Sequence, residues 1–351
     1  MARVLIIADD LTGALDSAVA FTMHGARAQV ALQAGVLPRM ISDPTFDVVA
    51  LATGTRDGTE EAARAAISAL APVLQSWSGI ILKKIDSRMK GHVAAELAEL
   101  TRLLPRSVLA CPALPRLGRV VTEGAVTGAG VAAPIPVAPV LGRPAQVVDA
   151  TRPEDIAAAL PARLDEWLYL GAGGLAEALA ERLFSGARPA PKPLETPALF
   201  AIGSRDPVTL AQIDVLDLPV TLAPNGAVPD FAAGPFSLLQ MVAGPSDCDP
   251  GEAGTRFAEG VARAIKTGSI RTILACGGES AHAILRAAGC HRLEIEAELF
   301  AGLPLSRCTA TGLRVLTKSG GFGSCDLLRQ VVNRFANPVS QDVSGESSHR
   351  R

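Results

Sequence analysis

Along the chain, a short β-branched apolar run is followed by a polar or glycine-rich turn and then by an alanine-rich stretch with helical spacing. Val4–Ala8 precedes Asp9-Asp10-Leu11-Thr12-Gly13 and a helix expected over about 14–23. Val48–Ala52 precedes Thr53–Arg56 and a helix over about 59–74. Ile80–Ile85 precedes Asp86–Gly91 and a helix over about 93–103, and Val108–Cys111 enters a loop running to Gly124. Trp167–Leu170 leads into Gly171–Gly174 and a helix ending near Leu183. In the second half, Ala198–Ile202, Thr272–Ala275 and Leu313–Thr317 each run into a small-residue turn and then a helix. Pro207 suits the first position of the earliest of these helices.

Strands alternating with helices predict parallel sheets covered on both faces, an α/β architecture. In such sheets ligands bind beyond the carboxyl ends of the strands, where these turns lie. The chain has 351 residues, too many for one ordinary core of roughly 100–200, so two domains are expected. The stretch 185–197, SGARPAPKPLETP, carries four prolines that disfavour helix and sheet and marks the boundary. The expected arrangement is two domains, 1–190 and 195–337, each a mostly parallel sheet flanked by helices, with the ligand site in the cleft between them. A polar tail, 338–351, is expected to lack fixed structure. Residues 131–144, with four more prolines, form an irregular excursion within the first domain.

Composition narrows the function. The apolar fraction is 48% and the charged fraction 19%, which excludes general disorder. A net charge of −2 and an aromatic content of 4% argue against a basic or base-stacking nucleic-acid surface. The opening apolar run is too short for a signal-peptide core or a membrane span, so a soluble, cytoplasmic protein is expected, with no membrane partner. Six cysteines without a CxxC pair fit reduced thiols. Cys290-His291 lacks a second pair at ligand spacing, so no protein metal site is expected.

The two halves carry different chemistry at their turns. In the second half, Gly203–Asp206, Gly277–Ser280 and Lys318–Gly323 place small residues between a strand end and a helix start. Free backbone N–H groups and the helix dipole favour an anion there, and glycine lets a phosphate approach. Lys318 stands at the richest of these turns, within expected reach of a phosphate. None of the three matches Walker A or GxGxxG. The first-half turns are charged instead, with Asp9, Asp10, Arg56, Asp86, Arg88, Lys90 and Arg119. Adjacent carboxylates beside several bases suit a small polyhydroxy anion, its carboxylate held by guanidinium groups.

Seven segments, in order, carry a family resemblance: IADDLTGALDSAVAF (7–21), KKIDSRMKGH (83–92), CPALPRLGRVVTEG (111–124), the pair VVDATRPEDI and LGAGGLAEALA (147–156, 170–180), GSRDPVTLAQI (203–213), CGGESAHAIL (276–285) and LTKSGGFGSCDLL (316–328). From about Arg3 to Phe335 the chain resembles the four-carbon acid sugar kinases. The resemblance implies phosphorylation of a hydroxyl of a threonate, erythronate or 3-oxo-tetronate type acid, with ATP and Mg²⁺. It places the acid on the N-terminal domain and carries Asp10, Arg56, Lys84, Asp86 and Arg119 onto its loops; the charged turns add Asp9, Arg88 and Lys90 as candidates for binding the acid, with Asp10 or Asp86 expected to serve the hydroxyl. It places the nucleotide on Ser204, Gly277, Gly278, Glu279, Ser280, Gly320 and Gly321, beside Lys318, the phosphate candidate read from the turn itself. A homodimer is compatible with the family. The chain departs from the family's DSTLRGN segment, having Arg88 for Thr, Lys90 for Arg and His92 for Asn. It also has Asp206 where the GS loop carries a further Ser, and a shorter stretch after Gly124. These departures imply a different grip on the acid, and keep a catalytically altered binding protein on the same scaffold as the alternative.

Overall fold

The computed structural model describes residues 3–336, so the tail expected at 338–351 lies outside the described residues. Fourteen strands form one sheet. From one edge their order is Val220–Pro224, Phe236–Val242, Ala198–Ile202, Thr272–Cys276, Arg314–Lys318, Leu303–Cys308, Arg292–Phe300, Ala28–Ala31, Val48–Ala52, Val4–Ala8, Ile80–Lys84, Trp167–Gly171, Ser107–Cys111 and Gln146–Val147. The first five are parallel to one another, and so are the last seven. Helices flank both groups, as the alternating pattern predicts. Val4–Ala8 is buried along its whole length because it pairs on both sides and is covered on both faces.

The two halves are not separate sheets. The antiparallel hairpin of Arg292–Phe300 and Leu303–Cys308 joins them, with Leu293 opposite Val30. Its first strand reads RLEIEAELF, which is helix-rich in composition, yet Leu293, Ile295 and Ala297 are buried in strict alternation. Period 2 against a half-covered face overrides propensity here. The helix Leu11–Thr22 packs against this hairpin and against the helix Gly278–Ala287. His Nε2 of residue 282 donates to the Leu32 carbonyl at 2.9 Å, a further tie between the halves.

The strands of the C-terminal half run antiparallel to those of the N-terminal half. Five inter-strand steps separate Arg314–Lys318 from Val4–Ala8. A right-handed twist of roughly 20–25° per step accumulates to roughly 100–125° over that span. The carboxyl ends of both groups are thereby turned towards one region.

Other elements refine the expectation. The helix expected over 59–74 is two, Glu60–Ser68 and Ala71–Ser76, because Pro72 starts a new helix rather than continuing one. The loop after Cys111 folds into a small sheet of Arg119–Thr122, Ala125–Gly128 and Ile135–Pro136. The stretch 131–144 also contains the helix Val137–Leu141, whose Val137 and Leu141 are fully buried, so it packs rather than extends. Between Leu183 and Ala198 the proline-rich segment forms neither helix nor strand.

Candidate active site

The Asp9-Asp10 turn ends the central strand and starts the helix Leu11–Thr22. Asp10 caps that helix, its Oδ1 accepting from Gly13 N–H at 2.9 Å and its Oδ2 from the Thr12 hydroxyl at 2.6 Å. Two adjacent carboxylates would repel, and Arg56 resolves this. Its Nε and Nη2 reach Asp9 at 2.9 and 2.7 Å, and its Nη1 reaches Asp10 at 2.6 Å. Burial alone would raise the Asp9 pKa. Lys83, Arg56 and Lys84 outweigh it and hold the carboxyl below its ordinary value.

The next strand end separates two lysines by the pleat. Lys83 points to the helix side, fully buried, and pairs with Glu96 at 2.7 Å. Lys84 points the other way, near the Asp10 turn. Its ammonium donates to the Ile85 carbonyl at 2.9 Å, and an alanine Cβ at Gly13 would sit 3.0 Å from it. Asp86 follows, its Oδ1 accepting from Arg88 N–H at 2.9 Å. Arg119 comes from the small sheet. It donates to the Ser87 hydroxyl at 2.6 Å and to the Ala129 carbonyl at 2.8 Å. Burial first, and then the neighbouring Arg88 charge, lower its pKa against the pull of Asp86. Arg116 is neutralised by Glu177 at 2.8 Å and Asp16 at 3.4 Å.

In the C-terminal half the three small-residue turns interlock. A Cβ on Gly203 would collide with the Ser280 hydroxyl, and one on Gly320 with the Ser204 hydroxyl. Gly277 has φ +102°, which a side chain would strain. Asp206 caps the helix Pro207–Asp214 by accepting from Val208 N–H at 2.9 Å. The start of the helix Gly278–Ala287 abuts the acidic turn of the other half. A Cβ on Gly278 would lie 3.3 Å from Asp10 Oδ2 and 3.4 Å from the Thr12 hydroxyl.

The expectation that Lys318 reaches a phosphate is corrected. It is fully buried, and its ammonium donates to the Thr209 hydroxyl and to the Ser319 and Gly320 carbonyls at 3.0, 3.0 and 2.9 Å. A lysine has three donors, and these use all of them. Lys318 therefore shapes the Ser319–Gly323 turn from beneath. Burial lowers its pKa. Thr209 and Gln212, one turn apart on the helix Pro207–Asp214, hold the same loop through the Gly320, Phe322 and Ser324 carbonyls. Sequence reasoning missed both, although their spacing of three on a helix opening at a glycine turn was a usable signal.

A cavity of about 190 Å³ lies between the two sets of turns. Asp10, Lys84, Asp86, Arg88 and Arg119 line it from the N-terminal half. Thr317, Ser319, Gly321 and Phe322 line it from the C-terminal half, with Gly302 at the hairpin tip. Arg56 lines it too, but its fork is turned to Asp9 and Asp10. Asp9 is buried behind Arg56 and acts through it. Ser204, Gly277, Gly278, Ser280 and Gly320 lie in the interlocked turns beside the cavity. Lys90 and Glu279 are exposed and outside its lining. Among the described residues no cluster of three His, Cys, Asp or Glu side chains could hold a metal ion, and no helix is long and apolar enough to cross a membrane.

Fold and cavity together define a two-part α/β protein in which a charged wall and a wall of glycine turns face one cavity. Residues 4–140 match the family model of a sugar-binding N-terminal domain, and residues 247–328 that of a nucleotide-binding C-terminal domain. A D-threonate kinase of Cupriavidus necator is 32% identical, with 91% of this chain and 95% of that protein aligned. A D-threonate kinase of Bordetella bronchiseptica is 28% identical over 92% and 95%. The chain belongs to the four-carbon acid sugar kinase family. Its fold is also that of a Salmonella typhimurium LT2 crystal structure, at 16% identity and a TM-score of 0.75, covering 94% of this chain and 99% of that one.

Proposed function

We propose that the chain transfers a phosphoryl group from ATP, as its Mg²⁺ complex, to a hydroxyl of a four-carbon sugar acid of threonate, erythronate or 3-oxo-tetronate type. The observation that carries this is the shared cavity. One wall offers carboxylates and guanidinium groups, and the other offers glycine turns at helix starts. On this reading residues 1–190 hold the acid and 195–337 the nucleotide. The interlocked turns leave no room for a Cβ and suit phosphate oxygens at backbone N–H groups. Mg²⁺ usually keeps its waters and takes phosphates plus one or two carboxylates, which suits a site without a protein metal cluster.

Phosphoryl transfer needs mostly positioning and charge neutralisation. Asp10 has both oxygens engaged by three donors, so it orients the turn and is a poor proton acceptor. Asp86 lines the cavity, and among the described residues only its Oδ1 accepts a hydrogen bond. We assign to Asp86 the acceptance of the hydroxyl proton. On this reading Lys84, which lines the cavity beside the Asp10–Gly13 turn with donors to spare, faces the charge that develops on the transferred group. The acid's carboxylate faces the basic side of the cavity.

The decisive test is ADP release with Mg-ATP across D- and L-threonate, D- and L-erythronate and their 3-oxo forms. Release that requires one of these acids supports the proposal. Binding of an acid with no ADP release from any of them overturns it in favour of a non-catalytic binding protein.

The loop anchor gives a second expectation. Lys318→Met removes the ammonium from the Ser319 and Gly320 carbonyls, which keep only the Phe322 N–H and the Thr209 hydroxyl, and so weakens the loop by about 1.5–3 kcal/mol for each charged hydrogen bond lost. The KM for ATP should rise roughly tenfold or more while the KM for the acid changes less than about twofold. Steady-state kinetics with each substrate varied in turn check this. An unchanged KM for ATP would remove the nucleotide from this loop.

A further inference from the structure

Arg88 stands where the family's motif has Thr, and its side chain has no hydrogen-bond or ion-pair partner among the described residues. Its Nε is buried without an acceptor. The residue is only partly buried and lines the cavity, so the unpaired Nη groups of its guanidinium are open to an acceptor from outside the chain. The position is costly because Arg119 is close. A Cβ built on Gly130 would lie 3.7 Å from Arg119 Nη2 and 3.9 Å from Arg88 Nη1, so the two guanidinium groups converge on one spot. Both line the cavity. Arg119 is held rigidly by Ser87 and Ala129, which contribute no charge. The other lining arginines, Arg56 and Arg116, are each neutralised by two carboxylates. Asp86, on the same turn, is the nearest acidic influence on Arg119, and it does not offset burial and Arg88.

We propose that Arg88 and Arg119 form a two-guanidinium clamp on the carboxylate of the acid, and that Arg88 is this chain's own specificity determinant for a carboxylate over a neutral sugar. The proposal rests on the sugar-acid reading and deepens it. Two converging planar forks present parallel N–H donors, the geometry that recognises a carboxylate bidentately, and a lysine cannot reproduce it. A carboxylate there would accept from the Nη groups of both arginines and relieve the repulsion between the two cations at once. A neutral lactone or alditol of the same carbon skeleton would do neither. The reacting hydroxyl is then presented to Asp86, which shares its turn with Arg88.

The test uses the full chain and its Arg88→Thr and Arg88→Lys variants. With the best acid of the panel, Arg88→Thr should raise the KM for the acid roughly tenfold to a hundredfold, with kcat and the KM for ATP within about threefold. Arg88→Lys should recover only part of the loss, and added guanidinium ion should partly rescue Arg88→Thr. Calorimetric binding of the same acid without nucleotide should weaken by the same factor. Binding of the corresponding neutral lactone should not respond to Arg88→Thr. An unchanged affinity of Arg88→Thr for the acid, or an equal loss for acid and lactone, would overturn the clamp. If the unaltered chain releases no ADP with any acid but binds one through Arg88, the kinase reading fails and the clamp stands. Thermal unfolding of each variant without ligand confirms that it is folded. Loss of an unpaired, partly buried cation beside another is expected to leave the melting temperature unchanged or higher.

Discussion

Asp86→Asn is expected to reduce turnover by about 10²–10⁴-fold, the range for removing a general base, with the fold intact. The geometry makes this substitution unusually clean. Asn retains the Oδ1 that accepts the Arg88 N–H, so the Asp86–Gly91 turn keeps its internal bond. Only the second oxygen, which has no partner among the described residues, becomes an amide nitrogen that cannot take a proton. Asp10→Asn is the informative contrast. It replaces an acceptor with a donor among Gly13 N–H, the Thr12 hydroxyl and Arg56, so its damage should appear in stability as well as in rate. Single-turnover kinetics with thermal unfolding of both variants separate the two effects. Near-normal turnover in Asp86→Asn would move the proton acceptor to another group.

Lys83→Met is expected to cause the largest loss of stability, about 3–5 kcal/mol, because it leaves Glu96 as an unpaired buried carboxylate. Both side chains are essentially inaccessible, at 0% and 1% exposure. Glu96 has little else to rely on, since the Thr55 hydroxyl is 3.5 Å from Oε1 and Oε2 has no partner among the described residues. Replacing both, as Lys83→Met with Glu96→Leu, should restore most of the loss, since a buried ion pair is worth little more than the apolar pair that fills its space. Urea unfolding of the single and double variants measures this. A double variant as unstable as the single one would show that the pair is not held by charge compensation. The single variant should also loosen Asp9, because Lys83 is the foremost of the charges that hold that carboxyl ionised.

Much of the site was legible because chemistry and chain order coincide at strand ends. Asp10, Asp86, Arg88 and Arg119 follow strands or open short ones, and a parallel sheet places such residues at its carboxyl edge whatever the packing. Direction within a turn was less legible. Lys318 looked accessible because it borders a glycine-rich turn. A strand residue's side chain alternates, however, and Lys318 falls on the inward phase, facing Thr209 on the neighbouring helix. The same pleat sends Lys83 into the core and Lys84 to the cavity, a distinction that a KK pair does not reveal without the register. The hairpin from Arg292 to Cys308 was hidden by its glutamates, which face the half-exposed side of a strand that composition would assign to a helix.

The amino-acid sequence by itself determined the α/β class, the strands that carry the chemistry, and the charged and glycine-rich character of the two sets of turns. These depend on local periodicity and on residue type at strand ends, which act over short distances along the chain. Only the tertiary structure decided that the halves share one sheet and that its twist turns two oppositely running groups of strands towards one cavity. It also decided which cations are already neutralised. Arg56 and Arg116 meet carboxylates 40 or more residues away in the chain, whereas Arg88 and Arg119 meet each other. Charge pairing depends on distance in space, which no local pattern encodes.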